Sequence, residues 1–208
     1  MYTGTLYIIS APSGAGKTSL VKALIDSLPN ICTSVSYTTR PSRPGEQEGV
    51  HYNFITENNF LQLLDQAVFL EHAHVFGNYY GTSQKWVLAQ LQKGIDVILE
   101  IDWQGAQQVR KQLTELEISS LSIFILPPSR QILEQRLRNR RQDNDEVIRK
   151  RLSKAIEEIE HYVEFDYLVV NDQFETALHD LQAIVFGQRL THRVQSRKLQ
   201  YLITDLLS

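Results

Sequence analysis

Residues 10 to 19 read Ser10-Ala11-Pro12-Ser13-Gly14-Ala15-Gly16-Lys17-Thr18-Ser19, a run of residue types suited to holding a polyphosphate. Glycines let backbone N–H groups turn inward around an anion, and a helix starting directly after them adds its positive end. Lys17 would reach the β- and γ-phosphates, and the Thr18 hydroxyl would ligate Mg²⁺. Ala11, Pro12, Ser13, Gly14, Ala15, Gly16, Lys17 and Thr18 are therefore the expected nucleotide-binding loop, for ATP or GTP. The usual motif opens on glycine; Ala11 is tolerated in its place if its φ stays negative. The competing explanation is a helix-entry turn of small residues that binds nothing.

Three further groupings could act on phosphate. Arg40 and Arg43 flank a proline turn, Pro41-Ser42-Arg43-Pro44-Gly45, and their planar forks suit a phosphate dianion. Arginines beside a turn can also be merely solubilising. Glu100 and Asp102 close the apolar run Val97-Ile98-Leu99, and in extended backbone they share a face. One of them could hold Mg²⁺ through water or orient a substrate; a structural acidic pair is the alternative. Residues 130–154 carry nine Lys or Arg and four Asp or Glu, although the whole chain of 208 residues has a net charge of −3. The following stretch, 155–188, has eight acidic residues and no Lys or Arg. Arg136 and Arg140 stand one helical turn apart on one face, and Arg151 follows on the next helix. A clamp for a polyanion explains the cluster, and a solvated helical face with internal ion pairs is the plainer explanation.

Such residues need elements to position them. Apolar runs of strand length, Leu6-Tyr7-Ile8-Ile9, Val97-Ile98-Leu99, Leu121 to Leu126 and Tyr167-Leu168-Val169-Val170, predict strands covered on both faces. Helical spacing of apolar residues at Thr18 to Leu28, Trp103 to Leu113 and Gln173 to Arg189 alternates with them, which predicts a parallel α/β sheet. Residues 34–88 break the alternation. Short β-like pieces at Ser34 to Tyr37, His51 to Ile55 and Val68 to Phe76, with a tight tyrosine-bearing loop at Gly77 to Thr82, predict a mixed insert. His51, His72 and His74 fall in these pieces as packing or rim residues, and Trp86 and Trp103 read as core. Residues 129–164 read as wholly helical, opening at Ser129 and restarting near Asp143-Asn144-Asp145-Glu146. The tail from Thr191 is expected to continue a helix.

Composition bounds the class. With 42% apolar residues the chain can bury an ordinary core, and its one cysteine, Cys32, offers neither an internal disulfide nor a zinc site of the usual spacing. No apolar run is long enough to span a bilayer and the first residues do not resemble a signal peptide, so the expectation is a cytoplasmic protein. The slightly acidic total disfavours a general nucleic-acid binder.

Taken in order, the loop at 10–19, Ser36-Tyr37-Thr38-Thr39-Arg40-Pro41-Ser42-Arg43-Pro44-Gly45-Glu46, Gly77-Asn78-Tyr79-Tyr80-Gly81-Thr82, Leu99 to Gly105, Phe124 to Ser129 and Val169-Val170-Asn171-Asp172 resemble the guanylate kinase family. The resemblance spans residues 4–186. It implies a P-loop parallel-sheet core (4–33, 89–128 and 155–186) flanked by helices, a mixed α/β GMP-binding insert (34–88), a helical lid (129–154) and a helical tail (187–208). It implies transfer of the γ-phosphate of ATP to GMP or dGMP, with Mg²⁺ as cofactor, and leaves a homo-oligomer open. On it, Arg40, Arg43, Tyr52 and Tyr80 hold the GMP phosphate, and Glu71 reads the N1–H and N2 amino edge of guanine. Ser36, Thr82, Glu100 and Asp102 make further GMP contacts, with Mg²⁺ on Thr18 helped by Glu100 or Asp102 through water. Asn171 comes near the adenine of ATP. Lys17, Arg40, Arg136, Arg140 and Arg151 are the implied catalytic cations. This chain departs from the family at Glu100, where aspartate is usual, and at Asn139 and Arg141, where glycines commonly flank the arginine matching Arg140. A guanylate-kinase-like binding module without catalysis is the alternative from another class, and it has no need of Lys17 and Thr18.

Overall fold

The computed structural model describes residues 4–75, 77–116, 118, 120–139 and 145–208. In chain order, β1 (Leu6–Ser10) leads to α1 (Lys17–Ser27) and β2 (Ile31–Thr33). Then come β3 (Tyr37–Thr38), β4 (Asn53–Phe54), α2 (Glu57–Asp65), β5 (Phe69–Val75) and β6 (Asn78–Ser83). The chain continues through α3 (Gln84–Gln92), β7 (Asp96–Glu100), α4 (Trp103–Glu115), β8 (Ser120–Leu126) and α5 (Arg130–Arg138). It ends with α6 (Asp145–Glu160), a 3-10 turn (His161–Glu164), β9 (Tyr167–Val170), α7 (Phe174–Arg189), α8 (His192–Lys198) and α9 (Gln200–Leu207).

Five strands form the main sheet in the order β2-β7-β1-β8-β9, and its pairings are parallel. β1 lies at the centre, and Leu6, Tyr7, Ile8 and Ile9 are all fully buried. Because successive strand residues face opposite ways, Tyr7 and Ile9 pack with Leu20 and Leu24 of α1 and Leu181 of α7. Leu6 and Ile8 pack with Val87 and Leu91 of α3 and Val109 of α4. Double coverage is the reason β1 is apolar without alternation, whereas β9, expected to be covered likewise, is an edge strand with only Val169 buried and Tyr167, Leu168 and Val170 exposed. The edge strand β2 was not predicted: only Ile31 of its three residues is buried, so no apolar run marks it.

The segment between β2 and α3 builds a second sheet of order β4-β3-β6-β5, with β6 antiparallel to β3 and β5. Several expectations change here. Ser34 to Tyr37 contributes a strand only at Tyr37–Thr38, and His51 lies in a turn outside β4. The tyrosine-bearing segment expected as a tight loop is strand β6 from Asn78 on; Gly77, at φ +76, stands in the turn before it. Its apolar anchor is a stack in which Phe60 of α2 lies 4.5 Å from Phe69 and 5.2 Å from Tyr79.

Ser129 opens α5 as expected, its hydroxyl accepting from the Ile132 N–H at 3.1 Å. The helix restart falls at Asp145; Asp143 and Asn144 lie outside the described residues. α5 and α6 pair through Leu133, Leu137, Ile148, Leu152 and Ala155 and stand over the loop after β1. The tail is two short helices, not one continuation, with Val194 its buried anchor.

Candidate active site

Strand β1 is buried on both sides, so the chain leaves the sheet only at Ser10 and must turn back to start α1. Gly14 and Gly16 make that turn at φ +94 and +93, values that a side chain resists. The non-glycine residues at positive φ, among those described, are Asn30 and Ala67, so Ala11 keeps the negative φ that its methyl requires. Gly16 caps α1 and Lys17 begins it, so the first N–H groups of the helix open toward the loop. Asn171, 5% exposed, holds this turn from beneath. Its Nδ2 donates to the Ala15 carbonyl at 2.7 Å, and its own carbonyl accepts from Arg136 Nη2 at 3.0 Å. The side-chain amide nitrogen of Asn171, the residue expected near the adenine of ATP, is thus engaged with the loop.

Lys17 Nζ lies 3.3 Å from the Ile101 carbonyl. Burial lowers its pKa from the ordinary lysine value, while Glu100, Asp102, Glu158 and Glu71 pull it back up. A cavity of about 290 Å³ covers the loop, lined among others by Gly14, Gly16, Lys17, Thr18 and Asp102.

Beside it, β5 and β6 carry a buried polar cluster. Glu71, 4% exposed, accepts from Thr82 Oγ1 at 2.6 Å, and Ser36 Oγ lies 3.4 Å from the same hydroxyl. The register pairs Glu71 with Thr82 directly across the two strands, after a shift between Phe69 and Glu71. Burial raises the Glu71 carboxyl to about 7, helped by Asp102 and opposed by the Thr82 hydrogen bond and Lys17. A cavity of about 230 Å³ opens onto Glu71, Ser36, Tyr52, Tyr80, Glu100 and Asp102. Glu100 and Asp102 thus converge, but not as a strand pair: β7 ends at Glu100, and Asp102 caps α4, accepting from the Gly105 N–H at 2.9 Å.

Arg40 is held by a residue the sequence reasoning missed. Glu46 accepts from both Arg40 Nη atoms, at 2.9 and 2.8 Å, and from the Arg43 backbone N–H at 2.7 Å. These bonds bring the Glu46 carboxyl down to about 2. The Arg40 guanidinium lies 5.3 Å from the Tyr52 ring centre, and Tyr80 meets Tyr52 edge-on at 6.1 Å. Arg43 enters this cluster through its backbone, and its side chain is exposed. A third cavity, about 510 Å³, joins Glu46, Tyr52, Ser36 and Glu100 to Lys17 and Thr18.

From the helical pair, Arg136 reaches under the loop, and its Nη1 is buried without a hydrogen-bond partner. Arg151 lines a cavity with Ser13, Asp102, Lys154 and Glu158. Arg140 and Arg141 lie outside the described residues. Glu158, whose Oε2 accepts from the Ser13 N–H at 3.2 Å, is the other residue missed. Helical spacing from Arg151 was the signal available for it. Trp103 is half-buried and stacks on His161, ring centres 3.4 Å apart.

Known proteins resemble this chain over nearly its whole length. The family described as "Guanylate kinase" matches residues 3–188. The guanylate kinase of Saccharophagus degradans is 57% identical over 206 residues, covering 99% of this chain and 98% of that protein. That of Vibrio cholerae is 52% identical over 210 residues and covers the whole of both. The crystal structure of guanylate kinase from Anaplasma phagocytophilum superposes with a TM-score of 0.74 at 33% identity, over 92% of this chain and 89% of that one. On these matches the chain belongs to the guanylate kinase family.

Proposed function

We propose that the chain works as an ATP:GMP phosphotransferase that also accepts dGMP, with the residues gathered above as its machinery and Mg²⁺ as its cofactor. One observation carries the reading: the cavity at Glu71 is joined to the phosphate loop through walls they share. Ser36, Tyr52 and Glu100 line both the Glu71 cavity and the one reaching Lys17 and Thr18. A nucleoside monophosphate with its base on Glu71 then has its phosphate between Arg40 and Lys17.

The residues act by placement. Ionised Glu71 accepts both N–H donors of guanine; adenine offers no such pair and leaves a buried carboxylate unpaired, which is the source of discrimination. Arg40, with the Tyr52 and Tyr80 hydroxyls, holds the GMP phosphate, and the loop N–H groups and Lys17 hold the triphosphate. Charge spreads over the transferring phosphoryl group in the transition state, so fixed cations supply most of the stabilisation. Arg136 brings a buried donor with no protein acceptor on Nη1, and Arg151 faces the loop from α6. No general base is needed, because the second pKa of a phosphate monoester is about 6 and the attacking oxygen is already deprotonated at neutral pH.

Oxygen donors around the loop fit Mg²⁺. Thr18 shares one cavity with Glu100 and another with Asp102. Among the described residues there is no cluster of three or more His, Cys, Asp or Glu able to cage a metal alone, which suits an ion that keeps waters and substrate phosphates as ligands. When bound, Mg²⁺ would neutralise charge on the β- and γ-phosphates, with the Thr18 hydroxyl as its protein ligand. A cytoplasmic setting is part of the same reading.

A coupled assay with ATP and Mg²⁺, offering GMP, dGMP, AMP and UMP separately, tests it. ADP should form with GMP and less readily with dGMP; no ADP with GMP, or equal rates with AMP, rejects the reading. Lys17→Ala should lower kcat by about 10³-fold or more, and retained turnover would remove the loop from the mechanism.

A further inference from the structure

One N–H donor of the phosphate loop already has an anionic partner from the protein itself. Ser13 N donates to Glu158 Oε2 at 3.2 Å, across 145 residues of sequence. Glu158 lines the loop cavity together with Gly14, Gly16, Lys17 and Thr18, and it lines the neighbouring cavity with Arg151 and Lys154. Positions 151, 154 and 158 recur every three and four residues on α6, so the two cations and the carboxylate share one helical face, turned to the loop.

A carboxylate oxygen on a loop N–H stands where that donor would meet a phosphate oxygen, because both are anionic acceptors of the same kind. The bond is long for a charge-assisted contact, which centres on about 2.7–2.9 Å, so it is weak enough to be displaced. The surroundings favour displacement. Glu158 is half-buried, and burial pushes its carboxyl up; the Ser13 N–H, Lys154 and Lys17 pull it down, while Asp102 repels it. An ATP phosphate arriving at Ser13 brings more negative charge against Glu158 and presents itself to Arg151 and Lys154 on the same face.

We propose that Glu158 is an internal competitor for the phosphate loop: its carboxylate occupies the Ser13 N–H, ATP displaces it, and the exchange sets ATP affinity and turns the Arg151 and Lys154 face of α6 onto the phosphates. The proposal rests on reading this loop as the ATP site. It adds a residue that opposes binding, which is the reverse of what a structural support would do.

Calorimetric titration of ATP and, separately, GMP onto the unmodified protein, Glu158→Gln, Glu158→Ala and Lys17→Ala separates the possibilities. Glu158→Gln keeps an acceptor for Ser13 and removes the charge; Glu158→Ala removes both. The expected result is a Kd for ATP lowered by about two- to tenfold in either Glu158 variant, with the Kd for GMP unchanged. ATP affinity that is unchanged or weaker in both variants, or an equal gain for GMP, overturns the proposal. A variant damaged in folding loses affinity for both ligands, so a selective gain cannot come from damage. If ATP binding is abolished by Lys17→Ala while the Glu158 variants bind as the unmodified protein does, the competition alone fails. If Lys17→Ala binds ATP undiminished, the reading of the loop itself fails.

Discussion

Glu71 is a carboxyl group whose surroundings keep it near half-protonation at neutral pH. Burial raises it to about 7 against the opposing Thr82 hydrogen bond. In the proposed base-reading role only the ionised form would accept both guanine donors, so GMP binding would drive the proton off and GMP affinity should fall as pH drops below about 7. KM for GMP measured across pH checks this. Glu71→Gln should keep only the dependence belonging to the GMP phosphate, and an unchanged profile in that variant would contradict the role. The same shift has a cost in stability. Between 4.5 and about 7 the folded protein holds a proton that the unfolded chain has lost, so this group's contribution falls as pH rises through that window. Above it the penalty is about 3 kcal/mol. The nucleotide-free Glu71→Gln variant should therefore melt several degrees higher than the unmodified protein at alkaline pH, and the gap should close near pH 4.5. Glu46 holds Arg40, the residue proposed to bind the GMP phosphate. Both its oxygens engage Arg40, and with its carboxyl near 2 the pair stays ionised across the working range. Glu46→Gln should raise KM for GMP well before it lowers kcat, since it frees the Arg40 fork to wander. Steady-state kinetics with GMP varied would show it, and a loss confined to kcat would speak against a positioning role.

At the scale of elements, the loop and its supports behave as one unit. A Cβ on Gly16 would lie 2.4 Å from Asn171 Nδ2, at a φ of +93 that disfavours any side chain. Gly16→Ala should therefore lose about 1–3 kcal/mol of stability and push Asn171 off the Ala15 carbonyl. ATP turnover should fall more than a hundredfold, by analogy with loss of one preorganised donor of about that weight. Melting temperature and kcat/KM measured together would separate the two effects; near-normal turnover would mean that the loop tolerates a different Asn171 position. Elements also differ in how legibly they are written. β1, β7 and β8 announce themselves because strands of a covered sheet need apolar residues on both faces; β9 is legible as an apolar run too, yet only its Val169 is buried. β6 does not announce itself: Tyr80 and Thr82 turn to the Glu71 cluster while Tyr79 stacks on Phe60, and Asn78, Gly81 and Ser83 give the strand the composition of a turn.

Across the whole molecule, the site lies beyond the carboxyl ends of the parallel strands, and the opposite edge is tied for stability. Asp96 opens β7, accepts from the Thr5 N–H at 2.7 Å and takes Arg189 Nε at 2.8 Å, while Arg189 also reaches the Pro29 carbonyl. Removing one member of so enclosed a pair strands the other. Arg189→Ala should lose about 3 kcal/mol and lower Tm by about 5–10 °C, with KM for ATP and GMP unchanged. A matching loss in kcat at temperatures where the variant is folded would contradict this separation of stability from function. The phosphate loop, the central strands, the helix opening at Ser129 and the concentration of basic residues across α5 and the first half of α6 are legible from the residues alone. Each is a local matter of glycine torsions, burial period or capping chemistry, written within a few consecutive residues. That Glu46 holds Arg40, that Asn171 lies under Gly16, that Asp102 faces the Glu71 cavity and that Glu158 meets Ser13 emerges with the folded chain. Apart from the Glu46 clamp, those contacts either join positions far apart in sequence or hang on how neighbouring elements close over a shared cavity. Their energy comes from burial and charge compensation that exist only once the sheet, the insert and the helical pair have closed on one another.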